Sequence, residues 1–248
     1  MKLYDAAVCF CQALLFPQSC VLCGAWVNNP DLSSLCHPCL SHLPRHCGPM
    51  CRYCGVCLPA SLAEAFAVCS ACRGQRHLFD LARSAGPYEG ALRELIHKYK
   101  FEGFRNLARP LAGVLESVYS GDPDLPSADW ILPAPLHPTR RRERGFDQTL
   151  LLARGLSAGV RVPVFSGLRR IRPTSPQFGL DHEERARNVR GAFALSGGDA
   201  LAGGSILVVD DVMTTGATVN EICRLLREEA SPKQIVALTL ARVSLTRF

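Results

Sequence analysis

Cysteine is the residue that most constrains what this chain can fold into. Twelve of its thirteen cysteines precede Gly74, and eight of them fall in four CxxC pairs: CVLC (Cys20, Cys23), CHPC (Cys36, Cys39), CRYC (Cys51, Cys54) and CSAC (Cys69, Cys72). A segment of this size encloses too little apolar surface to fold unaided. CxxC lets two sulfurs approach one cation while the backbone amides between them turn toward the metal, and Gly24 and Gly55 ease the turn after two of the knuckles. Four such pairs make two tetrahedral tetrathiolate sites, the ligand set of structural zinc, and the ion then contributes folding free energy instead of activating water. Buried free thiols, an iron–sulfur cluster and a thioredoxin-like redox pair are the alternatives, although redox catalysis has no need of four pairs. Sequential pairing, Cys20/Cys23/Cys36/Cys39 with Cys51/Cys54/Cys69/Cys72, is the simplest arrangement, and a cross-braced one uses the same residues. Cys57 forms a further CxxC with Cys54, and Cys47, His37, His42 and His46 lie close enough in sequence to substitute as ligands. Cys9 and Cys11 read as buried or idle thiols.

Only Cys223 lies beyond Gly74, so composition divides the chain into residues 1–76, an N-terminal helix with a zinc-binding double-knuckle module, and residues 77–248. A hydrophobic fraction of 48% with 20% charged residues is globular, and no apolar run approaches the ~18 residues of a membrane span. The stretch MKLYDAAVCFCQALLFP reads as an amphipathic helix ended by Pro17, with no small-residue cleavage site after it. Clustered thiols without an export signal imply a reducing, cytoplasmic setting. The net charge of +6 permits phosphate or nucleic-acid ligands without demanding them. Nearly all of the positive charge is arginine, which a GC-rich genome explains as well as selection does.

In the second region YEGALRELIHKYKFEGFRNLARPLAGVLESVY has apolar residues at helical spacing, Leu92, Leu95, Ile96 and Tyr99 on one face and Leu107, Leu111, Val114 and Leu115 on another. Two helices joined near Gly103 are predicted. The loop SGDPDLPSAD leads to a strand, WILPAP, a basic turn, LHPTRRRERGFDQ, and a helix from Gln148 to about Leu156. VRVPVF, a polar segment, strand-like VRGAFAL, the buried strand GGSILVVDD, the helix TVNEICRLLREEA and the closing strand KQIVALTLAR follow. Strands alternating with helices predict a parallel α/β sheet.

The stretch ILVVDDVMTTGATVNE (Ile206–Glu221) carries the chemistry. An apolar strand ending in acids could be a Walker B element, but no glycine precedes a lysine, so the GxxxxGK[ST] partner is missing. Glycines two apart are also missing, which excludes a GxGxxG dinucleotide fingerprint. What remains is a strand, two carboxylates at its end, and TTGAT opening a helix. There exposed backbone N–H groups, hydroxyls and the positive helix end cradle a phosphate. Carboxylates beside that cradle repel a second phosphate but accept hydrogen bonds from sugar hydroxyls, which suits a ribose 5-phosphate.

Ile206–Thr218 resembles the signature of type I phosphoribosyltransferases for 5-phosphoribosyl 1-diphosphate (PRPP). By that resemblance Asp210 and Asp211 hold the ribose hydroxyls, and Thr214, Thr215, Gly216, Ala217 and Thr218 the 5-phosphate. The CxxC knuckles, LIHKYKFEG, LPAPLHPTRRRERGFDQ, PTSPQFGLDHEERARNVRGAF and the PRPP motif, in this order, resemble the ComF/ComFC (GntX-like) family over nearly the whole chain. The resemblance implies a type I phosphoribosyltransferase fold, a parallel sheet flanked by helices, behind the N-terminal zinc module. It also implies PRPP with Mg2+ as ligand, and a role in DNA uptake and natural transformation with single-stranded DNA and a competence helicase or other uptake protein as partners. Following the fold's plan, Arg140 and Arg144 contact pyrophosphate and act with the Asp pair in catalysis, while Arg141 and Arg142 add to the field. A solvated basic turn is the plainer reading of RRRER. Residues 170–188 form the mobile loop, with Arg172, Gln177, Arg185 and Asn188 at family positions. Many transferases of this fold carry a lysine in one of these loops, and here Arg169, Arg170 and Arg172 are the cations available. The rival reading is a non-catalytic module that senses PRPP or binds DNA or a partner, with the knuckles as docking surface.

Overall fold

The computed structural model describes residues 18–27, 34–46, 48–59, 67–74, 77–174 and 182–243. The N-terminal helix with Cys9 and Cys11, Cys47 and Gln177 lie outside the described residues. In the cysteine-rich segment the two-residue strands β1 (Gln18–Ser19) and β2 (Trp26–Val27) pair antiparallel, and the five-residue helices α1 (His37–Ser41) and α2 (Ser70–Gly74) begin inside the second and fourth knuckles and carry Cys39 and Cys72. Among the described residues no longer element forms there, as expected of a segment without a core of its own.

The second region is built on four parallel strands: β3 (Leu81–Pro87), β4 (Trp130–Pro133), β7 (Ser205–Met213) and β8 (Gln234–Arg242), in the order β3-β8-β7-β4. The helices are α3 (Gly90–Phe101), α4 (Ala108–Gly121), α5 (Pro138–Arg144), α6 (Gln148–Val160), α7 (His182–Val189) and α8 (Ala217–Glu229). β8, the last strand in sequence, lies inside the sheet between β3 and β7, and it is buried along nearly all its length. That explains its unbroken apolar character, since strands covered on both faces have no solvent side to alternate with. Leu92, Leu95, Ile96 and Tyr99 of α3 are buried, as are Leu107, Leu111 and Leu115, whereas Val114 is only partly covered. Gly103, at φ +77°, makes the left-handed turn between the two helices, and a 3-10 turn over Arg105–Leu107 completes the connection.

Several segments differ from the sequence expectation. LARSAGP forms the edge strand β3, although nothing in its pattern marked it; its strand character comes from pairing with β8 and burial. The basic stretch expected as a turn is the helix α5: Pro138 occupies its first turn, the His137 ring accepts the Thr139 N–H, and Gly145 at φ 74° ends it. VRVPVF contributes a single bridge, Val164 to Ile131 of β4. VRGAFAL supplies β6 (Phe193–Leu195), which pairs antiparallel with β5 (Leu168–Arg170) in a ribbon apart from the main sheet.

The knuckles sit on the edge strand. Ala82 N–H donates to Tyr53 O (2.7 Å), and Arg83 Nη1 donates to Arg52 O (3.1 Å). Gly55 and Gly86 allow this approach, because a Cβ would meet Ala82 O at 2.7 Å in the first case and Pro44 O at 2.0 Å in the second. The segment thus covers a sheet edge that would otherwise offer unpaired backbone groups. Cys51, Cys54 and Cys69 pack into the core on the α8 face, while Cys20, Leu35 and Leu43 pack into the core of the α3, α4 and α6 face. Among the described residues, no helix is long and apolar enough to cross a membrane.

Candidate active site and metal centres

All four strands of the main sheet point the same way, so Asp210 and Asp211 reach the carboxyl edge of β7, where open α/β sheets receive ligands. Asp211 is 6% exposed and is held from two sides. Lys100 Nζ lies 2.7 Å from its Oδ1, and Gln148 Nε2 donates to its Oδ2 at 2.9 Å. Burial works to raise the Asp211 carboxyl, but the Lys100 charge, the hydrogen bonds from Lys100 and Gln148, and the Arg144 charge together outweigh it and hold the group below the ordinary carboxylate range. Asp210 goes the other way. Burial first, then the neighbouring Asp211 charge, push it up to about 7, although its Oδ1 accepts the Asp211 N–H at 2.8 Å. The pair therefore holds one carboxylate already neutralised by lysine and one waiting for a partner.

Lys100 is the residue that sequence reasoning missed. It sits in the last turn of α3, outside the loops searched for a cation, and Tyr99 beside it donates its hydroxyl to Gln148 O (2.8 Å). This bond ties α3 to the start of α6, so that Lys100 and Gln148 converge on one carboxylate. Asp147 caps α6 by accepting the Leu150 N–H, and the buried Thr149 hydroxyl donates to Ala134 O at 2.6 Å. The one available signal was Lys100 itself, one of four lysines in a chain whose positive charge is otherwise arginine.

After β7, residues Thr214, Thr215 and Gly216 turn into α8, with Gly216 at φ 80° as the residue before the helix. Thr215 is buried, and its Oγ1 accepts the Ala217 N–H at 3.4 Å. Ala217 and Thr218 begin the helix, where first-turn N–H groups lack intrahelical acceptors. The five residues expected to hold the 5-phosphate therefore fall together, next to the Asp pair.

The opposite wall is basic. A cleft of about 510 Å³ is lined by Lys100, Phe101, Gly103, Arg140, Glu143 and Arg144, and a second of about 310 Å³ adds Arg170 and Thr174. Arg144 stacks its guanidinium over Phe101 (4.9 Å to the ring centroid), and its buried Nη1 has no hydrogen-bond partner among the described residues. Burial pulls Arg144 and Arg170 below the ordinary arginine range, and Arg170 senses both Arg140 and Asp210. Arg140 donates to Thr174 O at 3.2 Å, whereas Arg141 and Arg142 are exposed. Arg172 is turned elsewhere: its Nη2 donates to Asn188 O (2.9 Å) and Arg190 O (2.7 Å), fastening the two ends of the 171–190 segment together. Arg185 and Asn188 lie on α7. That segment is anchored to the cradle helix, since Gly191 N–H donates to Glu221 of α8 at 2.7 Å.

The cysteines form two groups, Cys20/Cys23/Cys36/Cys39 and Cys51/Cys54/Cys69/Cys72, each with its sulfurs within 4.8 Å of one another. Sequential pairing is therefore the observed scheme. Cys23 and Cys36 sulfurs lie 3.7 Å apart, as do those of Cys54 and Cys69. That is too far for a disulfide and close to the ~3.8 Å edge of a tetrahedron with Zn–S bonds of about 2.3 Å. Both sites fit zinc. Cys57 belongs to neither, and its sulfur lies 2.9 Å from His46 Nδ1.

Two family models match parts of the chain. Residues 11–73 match the double zinc ribbon domain, and residues 150–246 match the phosphoribosyl transferase domain. Competence protein F of Haemophilus influenzae is 32% identical over 203 residues, covering 79% of this chain and 85% of its own. The DNA utilization protein YhgH of Escherichia coli (strain K12) is 31% identical over 236 residues, 91% of this chain and 98% of its own. Competence protein ComFC of Bacillus subtilis is 27% identical over 249 residues, 95% of each chain. Among solved structures, the glutamine PRPP amidotransferase of B. subtilis superposes with a TM-score of 0.39 at 18% identity, over 58% of this chain and 30% of its own. With a double zinc ribbon, a phosphoribosyl transferase domain and relatives of this identity over most of its length, the chain belongs to the ComF family.

Proposed function

We propose that the protein binds PRPP with Mg2+ in the cytoplasm and is a phosphoribosyltransferase acting in DNA uptake and natural transformation. The catalytic site would lie in residues 77–248, and residues 1–76 would serve as its zinc module. The observation that carries this reading is the juxtaposition of the Asp210/Asp211 pair and the Thr214–Thr218 cradle with a wall of Lys100, Arg140, Arg144 and Arg170. The helix end would take the 5-phosphate, and the carboxylates the ribose hydroxyls. The arginines would neutralise charge that builds on the departing pyrophosphate as the C1–O bond breaks toward an oxocarbenium-like state. Hard carboxylate oxygens at Asp210 suit Mg2+, which would add charge against the diphosphate. Lys100 and Gln148 would keep Asp211 ionised and correctly aimed, and closure of the segment between Arg172 and Asn188 would exclude water. Single-stranded DNA and a competence helicase or other uptake protein are the partners this reading expects, in keeping with the names of the H. influenzae and B. subtilis relatives.

A second reading, a non-catalytic PRPP sensor or DNA- or partner-binding scaffold, draws support from apolar groups exposed on the zinc module. Trp26 is 76% exposed, and Arg52 stacks over the exposed Tyr53 ring at 5.3 Å. Such rings serve as platforms for unpaired bases. Calorimetric titration with PRPP and Mg2+ tests what both readings share, with Asp210→Asn/Asp211→Asn as the control that should lose binding. Pyrophosphate release in the presence of candidate acceptors, with and without single-stranded DNA, separates them. Binding of PRPP with equal affinity by the double variant would move the ribose site elsewhere.

A further inference from the structure

Most oxygens of the Asp pair already have partners within the chain. Lys100 Nζ lies 2.7 Å from Asp211 Oδ1, Gln148 Nε2 donates to Asp211 Oδ2 at 2.9 Å, and the Asp211 N–H donates to Asp210 Oδ1 at 2.8 Å. Among the described residues this leaves Asp210 Oδ2 as the one oxygen of the pair with neither a hydrogen bond nor an ion pair. A hard dication is held by anionic oxygens, and Mg2+ takes one or two carboxylates together with substrate phosphates. A pair reduced to one available oxygen falls short of a metal site until phosphates complete it.

Lys100 is the group that closes the pair, and its position is fixed. The Lys100 and Asp211 side chains are 15% and 8% exposed, so water screens the ion pair little. Fully buried Tyr99 donates to Gln148 O at 2.8 Å and holds the last turn of α3 against the start of α6. Neighbouring cations have other partners: Lys98 meets Glu94 and Glu102, Arg140 donates to Thr174 O, Arg170 donates to Thr174 Oγ1, and Arg144 stacks on Phe101. Among the described residues Lys100 is therefore the cation of the basic wall that touches the Asp pair. Its ammonium, at hydrogen-bond distance from Asp211 Oδ1, takes the place in which a divalent ion would meet that oxygen.

We infer that Lys100 is a tethered cation that keeps the Asp pair closed to divalent metal in the ligand-free protein. Removing the ammonium uncovers Asp211 Oδ1 and turns the pair into a two-carboxylate metal site. Lys100 acts through Asp211 and is a positioning residue. The inference deepens the PRPP reading, on which it rests for one consequence: metal enters with the diphosphate and not ahead of it.

The test measures Mn2+ binding to the full-length, zinc-loaded protein without PRPP, from the loss of the electron paramagnetic resonance signal of the free ion. Mn2+ suits carboxylate oxygens, stands lowest in the divalent affinity order and leaves zinc on its thiolates. Wild type should bind it weakly. Lys100→Met should bind it about 30-fold more tightly, which is the repulsion that an ammonium about 4 Å from a dication exerts even when screened as in bulk water. Adding Asp210→Asn and Asp211→Asn to Lys100→Met should abolish the gain, and Lys100→Arg, which keeps the charge, should match wild type. Mn2+ should also raise the Tm of Lys100→Met and leave that of wild type in place, a difference that a purely structural lysine would not produce. If Lys100→Met does not fold, Lys100→Gln takes its place. Mn2+ affinity no tighter than wild type in the folded variant, or a gain that survives loss of both aspartates, overturns the inference. PRPP is then added to wild type, where it should bring Mn2+ with it. PRPP that recruits no Mn2+ refutes the PRPP reading separately, because the comparison that decides the role of Lys100 contains none.

Discussion

Replacing Asp210 by Asn should stabilise the ligand-free protein, and more so at high pH. In the folded state burial and the Asp211 charge lift the Asp210 carboxyl from 3.8 to about 7. Below the lower value it is protonated in both folded and unfolded chains and contributes nothing. Between the two values the folded chain binds a proton that the unfolded chain has released, so stability falls as pH rises, and above about 7 the full penalty is present. About three pH units at 1.36 kcal/mol each amount to about 4 kcal/mol. Asparagine keeps an oxygen for the Asp211 N–H but forfeits the charge assistance of that bond, worth about 1 kcal/mol, so a net gain of about 3 kcal/mol remains. For a chain of this length that is a rise in Tm on the order of 6–12 °C at pH 8, shrinking toward zero near pH 4. Differential scanning calorimetry of both proteins from pH 4 to 8 measures it, and PRPP titration should show the stabilised variant binding weakly. A variant no more stable than wild type at pH 8, or a gain independent of pH, would refute this account of a carboxylate held in strain for a ligand.

Lys100→Met should act in the opposite sense, leaving the buried Asp211 carboxylate unpaired at a cost of about 3 kcal/mol at pH 7. Because Asp211 is depressed in the folded state, that deficit should fade as pH drops through the carboxylate range, which chemical denaturation at pH 4 and 7 will show. Metal analysis of protein purified under reducing conditions should find about two zinc ions per chain, as two tetrathiolate sites require, and a strong chelator should lower Tm while exposing β3 to hydrogen exchange. Iron, or no metal, would contradict the zinc assignment. In a competent host, Asp210→Asn with Asp211→Asn, and Cys36→Ser with Cys39→Ser, should each reduce transformation frequency at protein levels verified by immunoblot. If the Asp variant accumulates normally and transforms as well as wild type, the scaffold reading replaces the catalytic one.

The sequence by itself determined the features whose meaning is local. A CxxC knuckle is a property of four consecutive residues, and an apolar strand ending in Asp210 and Asp211 before a Thr/Gly turn places its carboxylates and amides together within one strand, turn and helix. The eight clustered cysteines, the strand, turn and helix proposed to hold a ribose phosphate, and the parallel sheet were legible for that reason. Tertiary structure alone decided which knuckles share an ion, because a thiolate has no sequence mark for its distant partners. It decided that LARSAGP is a strand, since its partner β8 lies about 150 positions later in the chain, as the contact of Ser84 with Thr239 shows. It also chose the cations: Gln148 meets Asp211 across 63 positions, and Lys100 reaches the same carboxylate from a helix, not from a loop.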